Sequence, residues 1–148
     1  MYNPILVPLD GSERAEAILP HVEELARRCS AEVILLQVVE PLPIIVGPAG
    51  AIMALPQQEI EQRNEQAEGY LAARQEEFHQ KGIQARTHVS YGPVVQEIID
   101  TAEREGAKLI AIASHGRSGL SRVFYGSVAA GVLQRVDRPL LLIRSQDD

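Results

Sequence analysis

Two rhythms of apolar and polar positions run along this chain. Nearly uninterrupted apolar runs in "NPILVPL" (3–9), "EVILLQVV" (32–39), "KLIAIAS" (108–114) and "PLLLIR" (139–144) predict strands buried on both faces. "QARTHVSY" (84–91) alternates instead, as a half-exposed strand near a sheet edge would. Between the strands the period lengthens to that of a helix. Ala15, Ile18, Leu19, Val22, Leu25, Ala26 and Cys29 follow a 3,1,3,3,1,3 spacing behind Ser12, a suitable N-cap. A charged helix is predicted over 57–81, stopped by Gly82; Val95, Ile98, Ile99 and Ala102 mark another over 94–105, closed by Gly106; a fourth covers 127–136. "SQDD" remains as a polar tail.

Strands that alternate with helices predict a parallel sheet, because each right-handed crossover lays its helix against one face. The expectation is an open α/β fold with helices on both faces, formed by one domain over residues 1–148. Ligands of such sheets bind beyond the C-terminal strand ends, where successive crossovers go to opposite faces. The segments to inspect are therefore "LDGSE", "VVEPLP", "SYGPV" and "ASHGRSG".

Composition narrows the classes. Hydrophobic residues make up 45% and charged ones 23%, an ordinary globular balance, and the net charge of −6 argues against nucleic-acid binding. A single cysteine, Cys29, excludes an internal disulfide; its place on the apolar stripe of the first helix predicts a buried thiol. The start "MYNPILVPLDGSE" lacks the features of a signal peptide, so a cytoplasmic location is expected. The uncharged stretch from Pro41 to Gln58 has about the length of a short membrane span. Pro41, Pro43, Pro48 and Pro56 would break the internal hydrogen bonds that lipid demands, so no membrane partner is expected.

The densest chemistry lies in "IAIASHGRSGLSRVFYGSVAAGVLQRV" (110–136), where Gly116, Gly119 and Gly126 follow a predicted strand and precede a predicted helix. Bare backbone N–H groups and the positive end of a helix dipole would share one space there, which suits phosphate. Ser114, Ser118 and Ser127 could donate hydrogen bonds, and Arg117 or Arg122 could add countercharge. The bland alternative makes the glycines turns and Ser127 a helix cap. The loop is neither a Walker A motif nor a GxGxxG fingerprint.

"ASHG", nine residues, then "GS" resembles the ATP-binding signature of the universal stress protein family, Gly-x-x-Gly, nine residues, Gly-Ser/Thr. "ILVPLDGSE", "VILLQVVE", "SHGRSGLSRVFYGSVAAGVL" and "RPLLLIR" also resemble that family's segments, in its order, over nearly the whole chain. The resemblance implies a Rossmann-like five-stranded sheet in the order 3-2-1-4-5, with Asp10 and the glycine loop meeting between strands one and four. It also implies ATP as ligand, with Asp10 near ribose and adenine, the Val38 backbone on adenine, and Gly116, Gly126 and Ser127 at the phosphates. Pro8 and Gly92 are candidates for the pocket wall, and the main-chain amides from Ala113 to Val128 for the anion cradle. One position departs from the signature: Ala113 stands where its first glycine belongs. In left-handed backbone an alanine would cost roughly 1–2 kcal/mol, whereas in extended backbone its methyl group would cost little.

His115 either touches phosphate or shapes the turn, and with His21, His79 and His88 scattered no protein-only metal site is expected. Mg2+ or Mn2+ could arrive with ATP, bridging its phosphates. The apolar loop 41–56 reads as a lid, as a surface for an unidentified protein partner, or as a plain excursion. The resemblance implies a homodimer through Pro139–Arg144, the last strand pairing with its copy. The function expected is a nucleotide-binding stress sensor. Its rivals are an interaction or chaperone-like dimer without nucleotide, and a slow ATP-hydrolysing or nucleotidyl-transfer enzyme; no residue stands out as a general base.

Overall fold

Each predicted run becomes an element in the computed structural model, which describes residues 1–41, 45–46, 52–53, 57–116 and 126–146. In chain order these are β1 (Ile5–Leu9), α1 (Glu13–Glu16), α2 (Leu19–Cys29), β2 (Val33–Val39), β3 (Ile45–Val46), β4 (Ile52–Met53), α3 (Gln57–Gln80), β5 (Ala85–Tyr91), α4 (Val94–Arg104), β6 (Leu109–Gly116), α5 (Ser127–Arg135) and β7 (Leu140–Gln146). Five strands form one sheet in the order β5-β2-β1-β6-β7, every neighbouring pair parallel. Counted along the chain without the β3–β4 hairpin, that is the expected 3-2-1-4-5.

Side-chain alternation on the strands divides the core in two. Ile5, Val7 and Leu9 of β1 face Ile18, Val22, Leu71 and Phe78, beneath α2 and α3. Leu6, with Ile34 and Ile110, faces Ile98 and Ala102 of α4 and Val132 of α5. Apolar side chains on both faces explain why the central strands read as unbroken runs. At the β5 edge only the alternate residues need burial.

Three expectations required correction. The helix predicted from Ser12 to Cys29 is two pieces, because Pro20 falls in the first turn of α2. An unbroken helix would press its ring on the carbonyl of Glu16 and lose that hydrogen bond. Ser12 does cap α1, its Oγ accepting from the Ala15 N–H at 3.1 Å. Strands β6 and β7 run further than their apolar stretches, with Ser114, His115 and Gly116 pairing with Arg144, Ser145 and Gln146. Backbone pairing does not require apolar side chains, so part of the supposed glycine loop and polar tail is ladder. Cys29 is half-buried against the first core rather than buried.

Within the apolar segment 41–56, Ile45–Val46 and Ile52–Met53 form a short antiparallel ladder; residues 42–44, 47–51 and 54–56 lie outside the described residues. No helix among the described residues is long and apolar enough to cross a membrane.

Candidate functional site

β1 and β6 lie side by side, and the helices that follow them pack on opposite faces of the sheet. Their C-terminal ends therefore diverge and leave a crevice. Pro8 of β1, Leu36 and Val38 of β2 and Ile112 and Ala113 of β6 line it from the sheet. Val94 and Ile98 of α4 supply an apolar wall, while Asp10, Glu40, Ser114 and Ser127 add polar groups to the lining. A largely apolar crevice with a few polar groups suits a small ligand that is apolar in part and polar in part.

Local hydrogen bonds fix the acid. Oδ1 of Asp10 accepts the Ser12 N–H at 2.9 Å and the Ser12 hydroxyl at 2.5 Å. Through its cap on α1, Ser12 ties the carboxylate to the start of that helix. On the opposite side, the N-cap of α5 is Gly126 at φ 76 and ψ 146, and Ser127 is the first helical residue. Ser127 as the cap is thus incorrect: a positive φ favours glycine at that position. Among the described residues there is neither a side-chain cap bond nor an acid in the first turn of α5, and Ser127 and Val128 at its positive end line the crevice.

The crevice brings together Pro8, Asp10, Val38, Ala113, Ser127 and Val128, residues far apart in sequence. Ala113 lies within β6, paired with Ile143, and among the described residues Ser30 alone is a non-glycine with positive φ. Its methyl group therefore carries no left-handed strain. His115 and Gly116 end β6, so Gly116 is strand backbone rather than loop. Ser114 also departs from expectation, since its buried hydroxyl donates to the Ile143 carbonyl at 3.3 Å. Gly92 is not among the lining residues: it lies buried after β5 with φ 152, where a Cβ would come within 2.5 Å of Glu97 Oε1. Arg117, Ser118 and Arg122 lie outside the described residues. Glu40 and Val94 fall in the segments "VVEPLP" and "SYGPV" marked for inspection, whereas Ile98 of the α4 wall does not, although it stands at i+4 from Val94 on one helix stripe.

Over residues 1–144 the sequence matches the model of the Universal stress protein family. The chain belongs to the universal stress protein family. Universal stress protein MJ0577 of Methanocaldococcus jannaschii is 30% identical, with 99% of this chain and 98% of that protein aligned. The structure described for MJ0577 superposes with a TM-score of 0.82 at 29% identity, covering 100% of this chain and 99% of the other. Universal stress protein YxiE of Bacillus subtilis is 33% identical over 97% of this chain and all of its own length. A universal stress protein from Archaeoglobus fulgidus, solved in complex with dAMP, shares the fold at 21% identity and TM-score 0.63, covering 96% of this chain and 98% of that one.

In this universal stress protein a second recess opens on the opposite face of the sheet, between β2 and α3. Asp10, Val38 and Glu40 belong to both spaces. Behind it the Tyr70 hydroxyl donates to Glu16 Oε2 at 2.5 Å, while Arg74 pairs with Glu16 Oε1 at 3.2 Å and lies 5.4 Å from the Tyr70 ring centre. Burial, and then the hydrogen bond to Glu16, push the phenol above its ordinary range. Tyr70 is thus held as a neutral donor that fastens α3 to α1.

Proposed function

We propose that this chain is an ATP-binding stress-response sensor, cytoplasmic and dimeric, in which nucleotide occupancy of the crevice changes what the dimer contacts. The observation that carries the reading is the convergence of Asp10 and the uncapped N-terminus of α5 on one apolar crevice. The adenine would lie among Pro8, Leu36, Val38 and Ile98, with the base edge toward the backbone at the end of β2. Ribose hydroxyls would donate to Asp10, and the phosphates would meet the N–H groups of Ser127 and Val128 and the Ser127 hydroxyl. Mg2+ or Mn2+ would enter as a bridge between phosphates. The dAMP-bound fold neighbour supports a nucleotide in a fold of this kind.

Ala113 does not favour the rival reading of a dimer that has lost its nucleotide, because extended backbone accommodates alanine. The role proposed is occupancy rather than turnover. Oδ1 of Asp10 already accepts two hydrogen bonds, which orients the carboxylate as an acceptor. The dimer would form along the outer edge of β7, the last strand of the sheet, which is a ready template for a second copy.

Thermal unfolding with and without ATP tests the site. ATP is expected to raise the midpoint of the parent chain, and Asp10→Ala to weaken binding about 10- to 100-fold through loss of charge-assisted hydrogen bonds. Equal shifts in parent and variant would move the nucleotide away from this crevice.

A further inference from the structure

The one-turn helix α1 carries part of the crevice: Ala15 lines it, and Ser12, the cap of α1, holds Asp10. A four-residue turn does not sustain itself. Its backbone bonds lie at or beyond the long end of the usual range, with the Glu16, Ala17 and Ile18 N–H groups donating to the carbonyls of Ser12, Arg14 and Ala15 at 3.2, 3.3 and 3.4 Å. The break at Pro20 also denies it the support of a longer helix. Its position therefore depends on contacts from outside.

Helix α3 supplies them. Tyr70 and Arg74, one turn apart, converge on Glu16: the phenol donates to Oε2 at 2.5 Å and the guanidinium to Oε1 at 3.2 Å, so both carboxylate oxygens are held. From there the hydrogen bonds are continuous. The Glu16 N–H donates to the Ser12 carbonyl, and the Ser12 N–H and hydroxyl donate to Asp10 Oδ1. Tyr70 does not itself line the crevice, yet it shares the recess behind it with Asp10. Burial first, then Glu16, and to a smaller degree the Asp10 charge push the phenol up, which places acid and phenol within electrostatic reach.

We propose that Tyr70 is a positioning residue for nucleotide binding, which from α3 anchors α1 through Glu16 and thereby holds the Asp10 carboxylate toward the ribose. Tyr70 has this role only if the crevice holds a nucleotide, as proposed above, and it makes ATP affinity depend on a side chain outside the crevice.

The experiment is a double-mutant cycle read by calorimetric titration with ATP: parent chain, Tyr70→Phe, Asp10→Ala and the double variant, all below their unfolding midpoints. Phenylalanine keeps the ring beside Arg74 and removes only the hydroxyl. Tyr70→Phe should weaken ATP binding roughly three- to tenfold in the parent, and by less than about twofold once Asp10 is replaced, because no carboxylate is left to position. Equal loss in both backgrounds would mark general loosening and overturn the positioning role. Unchanged affinity in Tyr70→Phe would overturn it too, while leaving the nucleotide reading intact. Absence of ATP binding by the parent would overturn both. Should Tyr70→Phe fail to fold, Glu16→Ala takes its place in the cycle, with the same outcomes.

Discussion

At the scale of single residues, the site depends on backbone geometry as much as on side chains. Ala113 is paired strand backbone, so Ala113→Gly is expected to leave ATP affinity within about twofold; a large gain on titration would mean that the methyl group obstructs the ligand. Gly126, at φ 76 and ψ 146, is in a region that nearly excludes side chains. Gly126→Ala should cost on the order of 1–3 kcal/mol in chemical denaturation, and an unchanged stability would contradict the strained cap. Tyr70 makes a pH prediction. Its folded-state pKa is raised, so the native state holds a proton that the unfolded chain releases above about pH 10, and the associated stability is lost as pH rises. Tyr70→Phe should flatten that loss in melts across the alkaline range; parallel curves would remove the phenol from the ledger. Asp10, Val38 and Ser127, which line one crevice, lie in segments that strand ends and a helix start mark for inspection, while the roles expected of Asp10 and Val38 came from the family resemblance. Tyr70 was not legible in the sequence, since a tyrosine in a charged helix acquires meaning only from what faces it.

Among the elements, the helices that wall the crevice lie close together. A Cβ on Gly131 of α5 would sit 2.7 Å from Val95 Cγ2 on α4, next to Val94 of the crevice wall. Gly131→Leu is therefore expected to destabilise by about 1–3 kcal/mol through overpacking and to weaken ATP binding by displacing α4. A variant as stable as the parent would show that the helices separate freely. Apolar runs identified four of the sheet strands, and alternation identified the fifth, β5, and placed it at an edge. Element ends were less legible. The ladder carried β6 through Gly116 on hydrogen bonds that leave no hydrophobic signature, and one proline divided a helix whose apolar stripe continues across the break.

For the whole molecule, the order β5-β2-β1-β6-β7 leaves β7 at an outer edge. Light scattering should give twice the chain mass of 16.2 kDa, and a monomer at working concentration would contradict dimerisation through that strand. Strand alternation with helices predicted the class of fold; the order of strands came from the family resemblance, since short apolar runs do not say which neighbours they take. The central claim is that the β1–β6 divergence forms a nucleotide site from an acid and an uncapped helix end. Calorimetric titration of the parent chain with ATP tests it most directly: saturable binding of one ATP per chain is the predicted result, and absence of heat at millimolar ATP, with no shift in the unfolding midpoint, would contradict it.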